Sequence, residues 1–171
     1  MTLVDSSVWI DYFNGVDNPQ TDLLDASIVQ GSVAIGDLIF LEILQGIRND
    51  KQYRQTKQSL LALDQYEMFG KDMAAKCADN YRALRKKGIT IRKTADVIIA
   101  TFCIEKKLPL LFLDRDFIPF VDQGLVSSNG PINISYNRKV SAPYSSTTSS
   151  GLITFPLLLD ILSPSSPKIM P

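Results

Sequence analysis

The chain has 171 residues, 45% of them hydrophobic, which suits one folded domain and excludes wholesale disorder. Lys+Arg and Asp+Glu both number 18, so the protein is no uniformly basic nucleic-acid coat, and the absence of His removes Ser-His-Asp triads and imidazole-ligated zinc together. Two cysteines, Cys77 and Cys103, cannot build a four-thiolate site or a disulfide framework, so a metal held by side chains has to be a hard ion on carboxylates.

The opening Leu3-Val4-Asp5-Ser6-Ser7-Val8-Trp9-Ile10 predicts a short apolar strand meeting polar residues. Ser6-Ser7 can cap a helix that runs through Trp9 and Phe13 to Gly15. Residues 22–30 read as a short amphipathic helix, 32–35 as a short strand ending at Gly36, and Asp37 heads a further helix. Basic helices are predicted over 51–65 and 71–87, the second stopped by Gly88, and another helix over 94–107. Residues 110–113 form a buried-type strand that stops at Asp114-Arg115-Asp116. Helices alternating with short apolar strands predict an α/β fold around a small parallel sheet. From 128 onward the chain holds four charges, six of the nine prolines and the run Ser145-Ser146-Thr147-Thr148-Ser149-Ser150, so 128–171 is expected to be a weakly ordered extension of a unit spanning 1–127.

The balanced charge is unevenly spread. Residues 1–47 hold seven acids and no base, whereas 48–93 hold twelve bases against five acids. Such a division suits a metal site beside phosphate-holding surface, and equally suits a solvated basic helix face. The N-terminus lacks a basic segment and no apolar run approaches the ~18–20 residues of a membrane span, so with unpaired cysteines a cytoplasmic protein is expected.

Asp5, Glu42, Asp96 and the pair Asp114/Asp116 each stand where an apolar run ends or a helix begins. Asp5 and Asp114 follow strand candidates, and so can converge outside the carboxyl ends of a parallel sheet. Crowded carboxylates repel unless a cation holds them ionised, and Mg²⁺ or Mn²⁺ is the natural choice. Plain structural roles stay open for each: Asp96 complementing a helix dipole, Glu42 on a solvent face, Asp114 to Asp116 as a polar turn.

The order and setting of these acids resemble the PIN domain, and within it the VapC-type toxin ribonucleases of bacterial toxin–antitoxin pairs. The matching stretches are Val4-Asp5-Ser6-Ser7-Val8-Trp9-Ile10-Asp11-Tyr12, Leu41-Glu42-Ile43-Leu44-Gln45-Gly46, Thr94-Ala95-Asp96-Val97-Ile98-Ile99-Ala100 and Leu110-Leu111-Phe112-Leu113-Asp114-Arg115-Asp116-Phe117. The resemblance implies a PIN-like three-layer fold, a small central parallel sheet flanked by helices. It also implies a Mg²⁺- or Mn²⁺-dependent endoribonuclease, with Asp5, Glu42, Asp96 and Asp114 as metal-holding catalytic acids and Ser7 and Asp116 as auxiliaries. The metals would neutralise the scissile phosphate, activate water and stabilise the leaving 3′ oxygen, leaving a 5′ phosphate and a 3′ hydroxyl. Arg85, Arg92 and Lys93 would contact RNA phosphates. A cognate antitoxin and a homodimer are the implied protein partners. Phe112 departs from the small polar residue many relatives carry there, which would hydrogen-bond the metal site.

Two other classes compete. An Asp-nucleophile phosphatase would want a second acid beside or two residues after Asp5, where Ser6 and Ser7 stand. A catalytically inactive PIN-like binding module is the main alternative, and four intact acids argue against it. No Gly-x-Gly-x-x-Gly or Walker A motif is present to support nucleotide-binding classes.

Overall fold

Among the described residues, four short parallel strands form the sheet: β1 (Thr2–Val4), β2 (Val33–Gly36), β3 (Asp64–Tyr66) and β4 (Leu110–Leu111), side by side in the order β3-β2-β1-β4. The structure, a computed structural model, describes residues 1–129; the extension expected over 128–171 lies outside the described residues apart from Ser128 and Asn129. Leu3 is paired with Ala34 of β2 on one side and Leu110 of β4 on the other. Parallel strands need crossovers, and helices supply them: α1 (Ser6–Phe13) and α2 (Pro19–Val29) before β2, α3 (Asp37–Gln45) and α4 (Asp50–Leu61) before β3, α5 (Lys71–Lys86) and α6 (Thr94–Lys106) before β4. A 3₁₀ turn, Arg115–Phe117, and α7 (Ile118–Val121) follow. This is the parallel α/β sheet flanked by helices that the sequence predicts.

Burial explains why the middle of the sheet is legible. Leu3 and Val4 of β1 and all of Val33–Gly36 are buried, as befits strands covered on both faces. Trp9, Phe102, Phe117 and Phe120 fill the space against them. Trp9 stacks on Phe13 with ring centroids 5.5 Å apart and meets Tyr12 edge-on at 6.2 Å.

Four expectations need correction. The helix predicted over 51–65 stops at Leu61, because 64–66 pairs with β2 as an edge strand whose Asp-Gln-Tyr composition carries no apolar signal. The helix predicted from 22 starts at Pro19: Asn18 accepts from the Gln20 and Thr21 N–H groups while its own N–H donates to Thr21 Oγ1, a full capping box. Asp5, not Ser6-Ser7, caps α1. The strand predicted over 110–113 covers only Leu110–Leu111, while 126–128 runs parallel beside it, Leu110 donating to the Val126 carbonyl and accepting from the Ser128 N–H, each at 2.9 Å.

Gly36, at the end of β2, has no room for a side chain: a Cβ there would sit 2.0 Å from Met68 Sδ, and Met68 is buried. Gly36→Ala is therefore expected to destabilise the fold by about 1–3 kcal/mol through overpacking. Measured in a Met68→Ala background, the further loss from Gly36→Ala should shrink in thermal melts, and a Gly36→Ala protein melting like the parent would contradict the packing.

Candidate active site at the sheet edge

From β1 the chain winds outward through β2 to β3, then returns to place β4 on the other side of β1. The crevice outside the carboxyl ends of strands at such a reversal is where α/β sheets take ligands. Asp5 and Asp114 stand one and three residues past the ends of β1 and β4.

Asp5 is 3% exposed. Its N–H donates to the Leu111 carbonyl at 2.9 Å, and its Oδ2 accepts from the Ser7 N–H at 3.0 Å and from Ser7 Oγ. Ser7 Oγ also accepts from the Leu113 N–H at 3.3 Å, so one hydroxyl ties the exit of β1 to the exit of β4. Ser6 Oγ donates to Glu42 Oε2 at 2.7 Å, drawing the α3 carboxylate toward the start of α1. Glu42 thus has a partner across the site and is half-buried, which sets aside the plain solvent-face reading.

Asp96, third residue of α6, is also 3% exposed, and its Oδ2 has no hydrogen-bond partner. Asp114 caps the 3₁₀ turn through Oδ1, which accepts from the Asp116 N–H at 3.0 Å, while Oδ2 accepts from Lys93 Nζ at 2.9 Å. Arg92 Nε lies 3.9 Å from Asp116 Oδ2, its side chain 86% exposed. Arg85 stands exposed in the last turn of α5 and touches none of these acids among the described contacts.

The carboxylates feel one another. Burial raises the Asp5 pKa, opposed by Ser7, with the charges of Glu42 and Asp114 adding to the rise. Asp96 is pushed up to about 7 by burial, with Lys93 pulling it down and Asp114, Asp5 and Asp116 pushing it further up. Burial acts upward on Asp114 too, but the Asp116 N–H and Lys93 outweigh it and leave its pKa lowered. Lys93 is raised, chiefly by its bond to Asp114. Cys103, buried and within the field of Asp5, is pushed up to about 12, chiefly by burial.

Among the described residues no three acidic or thiol side chains form a cluster able to cage an ion. The donors nevertheless fit Mg²⁺ or Mn²⁺: carboxylate oxygens with an unpartnered buried Oδ2 on Asp96, suited to an ion that keeps several waters and takes one or two carboxylates. The sequence reading misses two residues. Ser6 is visible in the first motif, but its partner Glu42 lies 36 residues away. Asn129 falls in the stretch assigned to the extension, yet its side-chain amide accepts from the Phe112 N–H at 3.0 Å and donates to the Phe112 carbonyl at 2.7 Å. Phe112 itself packs on Phe117, centroids 5.3 Å apart, and is buried in the core.

The sequence model of the PIN domain matches residues 2–120. Ribonuclease VapC11 of Mycobacterium tuberculosis and VapC ribonuclease Mb1587 of Mycobacterium bovis are each 25% identical over 119 residues, 68% of this chain and 89% of theirs. The fold is similar to that of FitAcB from Neisseria gonorrhoeae (TM-score 0.60, 19% identity, 75% of this chain and 98% of that one). It is also similar to VapBC2 from Rickettsia felis, crystallised with a DNA fragment from their promoter (TM-score 0.58, 15% identity, 74% and 96%). With the sheet order, the acidic edge and the match over 2–120 in agreement, the chain belongs to the PIN domain family.

Proposed function

We propose that this protein is a divalent-metal-dependent endoribonuclease, the toxin of a type II toxin–antitoxin pair. The observation that carries this reading is Asp96: a buried carboxylate with an orphaned Oδ2, its pKa raised by burial and further by neighbouring acids, at the carboxyl edge of a parallel sheet. Structural acids are normally hydrogen-bonded when buried, so an exception of this kind asks for a ligand. The names of the VapC relatives support RNA as the substrate, and the VapBC2 likeness supports an antitoxin as partner. A homodimer acting in the cytoplasm completes the proposal; the unpaired, buried Cys77 and Cys103 agree with a reducing compartment.

Of Asp5, Glu42, Asp96 and Asp114, one or two carboxylates would hold the cation directly and the others through its waters. When bound, Mg²⁺ or Mn²⁺ would supply Lewis-acid chemistry, neutralising the scissile phosphate and making water a competent nucleophile. The chain's own residues prepare that setting. Ser7 fixes the rotamer of Asp5, and Ser6 holds Glu42 on the same side. Asp116 lies at the rim beside Arg92, and Arg92, Lys93 and Arg85 are the bases offered to RNA phosphates, a salt-sensitive and sequence-blind contribution.

RNA cleavage should require Mg²⁺ or Mn²⁺ and stop with EDTA. Asp96→Asn should reduce the rate at least about 100-fold and Ser6→Ala roughly 10–100-fold, as losses of a ligand and of a ligand's supporting bond. Full activity in Asp96→Asn would overturn the assignment.

The metal-free protein should also carry a pH signature. A folded-state Asp96 pKa of about 7, above the ordinary 3.8, means the native state holds a proton the unfolded chain releases. Stability from this group is then complete at acid pH and declines as pH rises through about 7. Melting temperature should fall between about pH 4 and 7 without metal and level off above that, the slope should flatten in Asp96→Asn, and adding Mn²⁺ should restore stability at the neutral end.

A further inference from the structure

Lys93 occupies a position where helix formation disfavours it. It is the N-cap of α6, with extended backbone (φ −102°, ψ 126°), and makes no side-chain cap bond. Ser, Thr, Asp and Asn serve there by accepting from orphaned N–H groups, which an ammonium cannot do. A cation at this end also meets the positive pole of the helix. The side chain instead reaches the strand exit, where Nζ donates to Asp114 Oδ2 at 2.9 Å and lies within the fields of Asp96 and Asp5. Among the described residues no other base hydrogen-bonds any of the four principal acids. Nearby, Asp96 keeps its buried Oδ2 without a partner.

We propose that Lys93 is the resident counter-ion of the acidic site: its ammonium occupies Asp114 until a divalent cation displaces it. This rests on the metal-site reading above and goes beyond it by giving the base two alternating partners. The pair is easily opened, since the Lys93 side chain is 61% exposed and that of Asp114 27%, where an ion pair is screened and worth little. Lysine suits the exchange better than arginine, carrying a compact charge on a flexible stem with no forked grip on the carboxylate. Displacement frees a cation at the rim at the moment a metal is in place, so metal loading and phosphate capture become coupled, each strengthening the other. Lys93 is thus a positioning residue that sets the metal concentration at which the site fills.

The test is Mn²⁺ titration followed by the electron paramagnetic resonance signal of the unbound ion, on the parent chain and on Lys93→Gln, Lys93→Arg, Asp114→Asn and Lys93→Gln/Asp114→Asn, each checked for folding by circular dichroism. Lys93→Gln should bind Mn²⁺ about three- to tenfold more tightly, having lost its competitor. Lys93→Arg, which keeps the charge and adds a forked grip, should show no gain over the parent, and the gain in Lys93→Gln should vanish with Asp114→Asn. Equal or weaker binding in Lys93→Gln, or a gain that survives Asp114→Asn, overturns the proposal while leaving the metal site standing. No Mn²⁺ bound by any form overturns the metal-site reading and this proposal with it.

Discussion

Asp5 is held by a small set of bonds on which much of the molecule depends. Its backbone joins β1 to β4 through the Leu111 carbonyl, its carboxylate starts α1, and the same carboxylate contributes to the acidic edge. Ser7 makes this possible: it donates twice to Asp5, through its N–H and its hydroxyl, and then takes the Leu113 N–H on the same oxygen. A buried carboxylate so bonded stays in one rotamer, and it fixes the relation between two strand exits. The fold and the site are therefore not separable at this residue, because the bonds that begin a helix also aim the acid.

The other acids are solved differently, and the differences have physical meaning. Asp114 has its own N–H donor and a lysine, so its pKa lies low. Asp96 has burial and like charges around it, so its pKa lies high. Two carboxylates at one edge with opposite displacements form an uneven field, strongly ionised at the rim and strained within. Neutralising that inner charge is the unmet need of the site, and a proton or a cation can meet it.

The central strands and the acids were readable in the sequence because each couples a local pattern to a chemical oddity: Asp5 ends the run Leu3-Val4, and Asp114 follows Leu110 to Leu113. The edge strand β3 was not, since its stability comes from backbone pairing to β2 and a Gln65 side chain donating to the Leu60 and Leu63 carbonyls rather than from apolar alternation. The start of α2 at Asn18-Pro19 was readable in principle, as cap and first-turn proline stand side by side. The pairing of Lys93 with Asp114 was not, because 21 residues separate them and a base before a helix looks like any other solvated charge.

Asn129 has a structural consequence of its own. Its side-chain amide faces the Phe112 backbone with an oxygen toward the N–H and a nitrogen toward the carbonyl, acting as a surrogate peptide unit. Strand β4 thus gains one more rung from a side chain after the main-chain bonds of 126–128 have ended. A boundary drawn by composition at residue 127 would cut through this rung, stranding two backbone groups of a buried phenylalanine at about 1–3 kcal/mol each. That rung is supplied by an asparagine standing in a stretch whose composition looks like tail.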